Sequence, residues 1–173
     1  MEKRRMVLLT EGRLGTFSSK TATSLVRYKP EEVMAVLDST RAGERLEDII
    51  EIGEGIPIVA SIEETLPFQP TALVLAVATV GGFIPDEWRT LIRAAIENGM
   101  DIVNGMHVFL NDDPELRSLA EDQDIYIWDL RKAPSDIKIA QYKAQELQNV
   151  RVLTVGADSS IGKMVAALEI TQA

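Results

Sequence analysis

The stretch Met6-Val-Leu-Leu-Thr10-Glu11-Gly12-Arg13-Leu14-Gly15, followed by Ser18-Ser19-Lys20-Thr21-Ala22, decides the reading of the fold. A short, nearly continuous apolar run ends in a glycine-bearing turn and passes into a polar helix start. Such runs suit parallel strands covered on both faces, where alternation with polar residues is not required. The unit recurs along the chain. Strands are expected at 6–10, 33–38, 56–60, 72–78, 101–104, 125–129 and 151–155, and helices at 18–27, 86–98, 114–121 and 135–147. The clearest helix follows Pro85: acids open it, Trp88, Leu91, Ile92 and Ala95 form its apolar face, and Gly99 closes it. Repeated strand–helix alternation predicts an α/β doubly wound, mainly parallel sheet.

Composition narrows the function classes. With 173 residues there is room for one domain plus part of another. A net charge of -9 argues against non-specific binding of nucleic acid or anionic membrane, both of which need clustered Lys and Arg. There is no cysteine and a single histidine, so disulfides, thiolate catalysis and multi-His metal sites are excluded, and no metal site is expected. The apolar run from Met6 to Leu9 is too short for a signal-peptide core, and no stretch reaches the length of a membrane span. A cytoplasmic location is expected.

The end of the chain carries a second signal. Val150-Arg-Val-Leu-Thr-Val-Gly156-Ala-Asp158-Ser159-Ser160-Ile-Gly162-Lys163-Met164 reads as a strand, a glycine-bounded turn and a helix with Met164, Val165 and Leu168 on its apolar side. This is the layout of a P-loop, where backbone N–H groups and a lysine surround phosphate at a helix N-terminus. Five residues separate the glycines instead of the usual four, and Met164 stands where Ser or Thr normally holds Mg²⁺. The chain therefore divides into a domain over 1–131, a connector over 132–149 and a fragment of a P-loop domain over 150–173. A P-loop domain needs further strands, including one bearing a metal-binding acid.

Other candidates lie at predicted strand ends, the ligand edge of an open α/β sheet. Gly12 and Gly15, with Lys20 at the helix start, are candidates for substrate or anion binding, or simply turn glycines and a solvated lysine. The turn lacks the G-x-G-x-x-G spacing of a dinucleotide site, although Asp38 ends the second strand where a ribose-binding acid would stand. Gly81 and Gly82 follow the fourth strand, as ligand-edge glycines or as a turn needing positive φ. His107 is a candidate acid/base or anion donor, oriented by Asp112 or Asp113, while Asp113 ahead of Pro114 also reads as a helix N-cap. Arg131 is a candidate for a substrate anion, with an ion pair as its ordinary alternative.

Together these segments resemble one family, a two-domain bacterial and archaeal group long described as a domain of unknown function, whose characterised members are D-glutamate N-acetyltransferases. The resemblance runs through Glu11-Gly-Arg-Leu-Gly15, Lys20-Thr21-Ala22, Arg27-Tyr28 and Val36-Leu-Asp38-Ser39. It continues through Gly81-Gly82, Trp88-Arg89, Asn104-Gly-Met-His107, Phe109-Leu110, Asp113-Pro114 and Asp129-Leu-Arg131-Lys132, and ends in Gly156-Ala-Asp-Ser-Ser-Ile-Gly-Lys163-Met164. It implies a Rossmann-like N-terminal domain followed by a P-loop domain similar to dethiobiotin synthetase, whose loop also has five residues between its glycines. It further implies acetyl-CoA or ATP as cofactor, a D-amino acid as small-molecule substrate, and Mg²⁺ only in the intact protein.

On that resemblance Gly156, Asp158, Ser159, Ser160, Gly162 and Lys163 would hold phosphates, and His107 and Arg131 would serve the catalytic end. Val165-Ala166 departs from the hydroxyl residues usual after the lysine. The chain alone is expected to be inactive, and to form a homo-oligomer or associate with the missing C-terminal domain. Two alternatives stand beside this reading: a nicotinamide-dependent oxidoreductase or epimerase-like Rossmann protein, and a non-catalytic oligomerising ligand-binding module.

Overall fold

The computed structural model describes residues 4–77, 79–137, 141–158 and 161–173. Tertiary contacts divide the chain into two units, Met1–Pro134 and Ser135–Ala173.

The first unit is a six-stranded sheet flanked by helices. Its strands are β1 (Met6–Leu9), β2 (Val33–Leu37), β3 (Ile58–Val59), β4 (Ala72–Leu75), β5 (Asp101–Asn104) and β6 (Ile127–Asp129). Their spatial order is β3-β2-β1-β4-β5-β6, and every neighbouring pair is parallel. The chain thus leaves β1 toward one edge and returns through β4 to build the other. The crevice between the C-terminal ends of β1 and β4 is the topological switch point, where open α/β sheets bind ligands. The helices are α1 (Lys20–Tyr28), α2 (Leu46–Ile50), α3 (Asp86–Glu97) and α4 (Pro114–Asp122).

Two-residue periodicity sends alternate side chains of each strand to opposite faces. Val7, Leu9, Ala35, Leu37, Leu73 and Leu75 pack on one face with Trp88, Ile92 and Ile96 of α3 and Leu116 of α4. Met6, Leu8, Val36 and Val74 pack on the other with Ala22 and Val26 of α1 and Leu46 and Ile50 of α2. Both faces are covered, which is why the strands are apolar throughout.

Several expected elements differ in extent. The strand expected at 56–60 shrinks to the two residues of β3, while Ala76 and Val77 continue past β4 as buried loop and Ala78 lies outside the described residues. Five-residue α2 is too short to leave a readable helical period. The helix start expected at Ser18 moves to Lys20, because the Ser19 hydroxyl donates to the Gly15 carbonyl (2.8 Å) and does not cap the helix.

Among the described residues, the second unit contains α5 (Lys163–Gln172) and a 3₁₀ turn, Lys143–Glu146. No longer helix is described over 135–147, a polar segment without the apolar stripe whose burial stabilises most helices; residues 138–140 lie outside the described residues. The strand expected at 151–155 is not formed either. Among the described residues no strand pairs with it, and Val152, Leu153 and Val155 are exposed. A strand's backbone groups need a neighbour, and an unpaired one gains nothing from extension. The α5 helix buries no residue, and its apolar side chains surround the axis instead of forming one stripe. Among the described residues, no helix is long and apolar enough to cross a membrane.

Candidate functional site

At the end of β1 the chain turns sharply. Arg13 N–H donates to the Thr10 carbonyl (2.8 Å), and Gly12 takes φ +69°, a conformation that a side chain strains. Asp38, at the end of β2, holds this turn. Its buried carboxylate accepts from Gly12 N–H (3.0 Å), Leu14 N–H (3.2 Å), the Thr10 hydroxyl (3.2 Å), Thr40 N–H (3.2 Å) and the Thr40 hydroxyl (2.6 Å). Burial pushes the carboxyl up, but the hydrogen bonds from Thr40, Gly12, Leu14 and Thr10 outweigh it and leave Asp38 below the ordinary carboxylate value.

A carboxylate has about four lone-pair sites, so five donors saturate it. The ribose-diol role that the position of Asp38 invites is therefore closed: the acid shapes the loop. Glu11 is likewise engaged, accepting from Ser39 N–H (2.9 Å) and the Ser39 hydroxyl.

Beside this turn lies an open cleft of about 570 Å³, lined by Gly12, Arg13, Ser18, Thr40, Arg41 and Glu44 among others. Arg41 pairs with Glu44 (3.1 Å). Of the predicted residues only Gly12 lines the cleft. Gly15 sits in the turn with its N–H donating to the Ser19 hydroxyl (3.1 Å), and Lys20 is exposed at the start of α1. The N–H of Ala22, in the first turn of α1, is already taken by the Ala76 carbonyl (3.0 Å).

The other half of the ligand edge is organised by Asp129 at the end of β6. Its carboxylate accepts from Asn104 Nδ2 (2.7 Å), Leu110 N–H (3.0 Å), Asn111 N–H (3.1 Å) and Asn111 Nδ2 (2.8 Å). Burial raises its carboxyl, and the bonds from Asn104 and Asn111 overcome that and hold it below the ordinary value. Asn104, buried at the end of β5, also donates to the Val108 carbonyl (2.8 Å) and accepts from Met106 N–H (2.9 Å), fixing the loop that carries His107.

Gly81 and Gly82 take φ +72° and +71° after β4. A Cβ on Gly82 would lie 2.2 Å from His107 Cδ2, so the ring rests directly on this glycine, and His107 N–H donates to the Gly82 carbonyl (3.3 Å). Arg131 Nε donates to the Gly105 carbonyl (2.6 Å). The structure thus brings Gly82, His107 and Arg131 to adjoining loops. The acids expected to orient His107 are committed elsewhere. Asp112 pairs with Lys132 (2.7 Å), whose ammonium also lies 5.4 Å from the centre of the Phe109 ring. Asp113 caps α4, accepting from Glu115 N–H (3.0 Å) and Leu116 N–H (3.1 Å), and it takes both arms of Arg89. The Arg89 bond is the first cause of a low carboxyl, at about 2, and the same contact raises the guanidinium.

In the second unit, Gly162 (φ +92°) precedes Lys163, the first residue of α5. The Lys163 ammonium folds back to donate to the Asp158 carbonyl, and the Thr154 hydroxyl donates to the Lys163 carbonyl (2.9 Å). A Cβ on Gly156 would lie 2.3 Å from Ile161 Cδ1, a close approach that only glycine permits. Ser159 and Ser160 lie outside the described residues.

Sequence reasoning missed Arg41, Thr40, Glu44 and Asn111. The hydroxyl residues after Asp38 were the one available signal, since an acid followed by Ser and Thr at a strand end often closes a turn on itself.

Comparison with known proteins agrees with this architecture. The family model described as "Domain of unknown function (DUF1611_N) Rossmann-like domain" matches residues 39–133. A D-glutamate N-acetyltransferase from Pseudoalteromonas sp is 38% identical over 113 residues, 65% of this chain and 33% of the relative. Another, from Tritonibacter scottomollicae, is 35% identical over 108 residues, 62% of this chain and 32% of the relative. The crystal structure of a DUF1611 family protein from Anabaena variabilis ATCC 29413 superposes with a TM-score of 0.85 at 38% identity, covering 96% of this chain and 48% of that one. The chain therefore spans about a third of the curated relatives it matches and about half of the structural neighbour.

Proposed function

The chain belongs to the Rossmann-like DUF1611_N family, and from that premise we propose that it is the N-terminal portion of an N-acetyltransferase that moves an acetyl group from acetyl-CoA to the amine of D-glutamate or a close analogue. The observation that carries this reading is the 38% identity over 113 residues to a D-glutamate N-acetyltransferase.

In such a transfer the amine nitrogen attacks the thioester carbonyl, the carbon–sulfur bond breaks, and the amine gives up a proton. His107, the sole histidine, is the group we assign to that proton, and Arg131 to a carboxylate of the acidic substrate. Both occupy loops at the C-terminal edge of the sheet, the edge on which open α/β domains act.

The loop from Gly156 to Lys163 is assigned to the phosphates of the coenzyme or of ATP. What supports this is the lysine at the first position of α5, folded over a loop that opens with a tightly packed glycine. Asp158, Ser159, Ser160 and Gly162 belong to the same assignment. Met164 itself gives Mg²⁺ no oxygen ligand, and a metal is assigned only to the intact protein. Acetyl transfer is assigned to the whole protein, not to this chain alone. The exposed apolar side chains of residues 150–155 and of α5 favour association, with another copy or with the rest of such a protein.

The reading is tested by calorimetric titration of acetyl-CoA into the wild-type chain and into Lys163→Ala. Saturable binding that weakens about tenfold or more in the variant supports it, because a charge-assisted phosphate contact is worth at least that much. No binding to the wild-type chain, or equal binding to both, would refute it. Saturation by NADH would favour the nicotinamide alternative, although the saturated Asp38 leaves no acceptor for the ribose diol of that cofactor.

A further inference from the structure

We propose that the cleft between the β1 and β2 loops is a second anion site, built for the phosphomonoester on the ribose of a nucleotide. The inference concerns residues outside the acetyl-transfer assignment and does not depend on it.

The cleft is unsuited to an unphosphorylated ribose. It lies at the C-terminal ends of β1 and β2, where a doubly wound domain places the ribose of a bound nucleotide. A free ribose diol is recognised there by an acid, and the acid present is saturated by five donors from its own loops. What faces the cleft is cationic instead. Arg13 stands on the glycine turn with its guanidinium in no hydrogen bond or ion pair among the described residues, and Arg41 approaches from the β2 side. The Ser18 hydroxyl also lines the cleft and makes no hydrogen bond among the described residues.

Among the described residues, Glu44 is the acid on the lining. Its pairing with Arg41 is a surface contact, the side chains being 50% and 42% exposed, and such pairs are weak enough for a dianion to displace. Two guanidiniums line the cleft against the Glu44 carboxylate, while the charge of Asp38, behind the turn, is taken up by its five donors. At about 570 Å³ the cleft is within the range of nucleotide-sized pockets. Guanidinium forks suit a phosphate dianion, whose oxygens accept two parallel bonds from each.

The shared chemistry is a ribose phosphomonoester. It occurs as the 3′-phosphate of coenzyme A and as the 2′-phosphate of NADP⁺. The experiment is calorimetry on the full chain with adenosine 3′-monophosphate, which carries the phosphomonoester and no 5′-phosphate, on the wild type, Arg13→Ala, Arg41→Ala, Glu44→Gln and Lys163→Ala. Binding is expected to weaken about tenfold in either arginine variant, to tighten in Glu44→Gln, and to persist in Lys163→Ala. A purely structural role for these exposed side chains would not produce the opposite responses of Arg41 and Glu44. Coenzyme A against dephospho-coenzyme A, and NADP⁺ against NAD⁺, then identify the source, and discrimination in either pair supports the site.

The proposal is overturned if the arginine variants bind as wild type does, if adenosine alone binds equally well, or if binding disappears in Lys163→Ala. Competition by D-glutamate would also overturn it, since the cleft would then be taking a carboxylate. Failure of the acetyl-transfer reading shows separately, as insensitivity of acetyl-CoA binding to Lys163→Ala.

Discussion

At the end of β2 the Asp38 carboxylate collects five donors, and at the end of β6 Asp129 collects four. Each acid is bought at the cost of burial and holds the loop after the neighbouring strand in one conformation. Replacing Asp38 by Ala would orphan several donors at once, with an expected loss of about 3 kcal/mol in urea unfolding. Asp38→Asn should recover part of it. A loss below about 1 kcal/mol would show that water substitutes for the carboxylate. The pH dependence has a definite sign. Asp38, Asp129 and Asp113 all have folded-state carboxyls below the ordinary value, Asp113 at about 2. Their contribution is complete above the unfolded value of about 4 and disappears as pH falls through the folded one. Thermal stability followed from pH 5 to pH 2 should fall steadily, and a flat profile would contradict the assignment.

Among the elements, α3 bears the largest fully buried side chain, Trp88, 1% exposed against the sheet. Trp88→Ala should cost about 3–5 kcal/mol in chemical denaturation; a much smaller cost would mean that the face collapses around the gap. The glycine pair after β4 provides a second check. Gly82→Ala combines a strained φ with a methyl group against the His107 ring, so it should displace the imidazole resonances in NMR spectra and lower stability by about 1–2 kcal/mol. Unmoved resonances would separate His107 from the β4 loop. This helix and the strands around it were legible in the sequence because α3 shows a full apolar face between Pro85 and Gly99, and because strands buried on both sides read as continuous apolar runs. The opposite holds for α2 and β3, too short to carry a period. Asp38 misled for a reason of another kind. Its position fits a ribose acid, but the donors that occupy it come from residues 10–14 and from Thr40, which only the fold brings together. The adjacent Asp112 and Asp113 similarly gave no hint that Lys132 and Arg89 would pair with them.

For the whole molecule, the division at Pro134 separates a domain covered on both faces from a segment whose apolar residues remain exposed. Hydrogen exchange should find the amides of β1 and β4, paired in the middle of the sheet, among the slowest, and those of residues 151–155 unprotected. Protection at 151–155 that grows with protein concentration would mean that this apolar segment pairs between copies. The proposal that the Lys163 loop holds the phosphates of a coenzyme has one direct test. It is calorimetric titration of acetyl-dephospho-coenzyme A, which keeps the thioester and pyrophosphate but lacks the phosphomonoester assigned to the Arg13 cleft, into the wild-type and Lys163→Ala chains. Saturable binding by the wild type is expected, weakened about tenfold or more in Lys163→Ala and unchanged in Arg13→Ala. Absence of binding by the wild type, or indifference to Lys163, would contradict it.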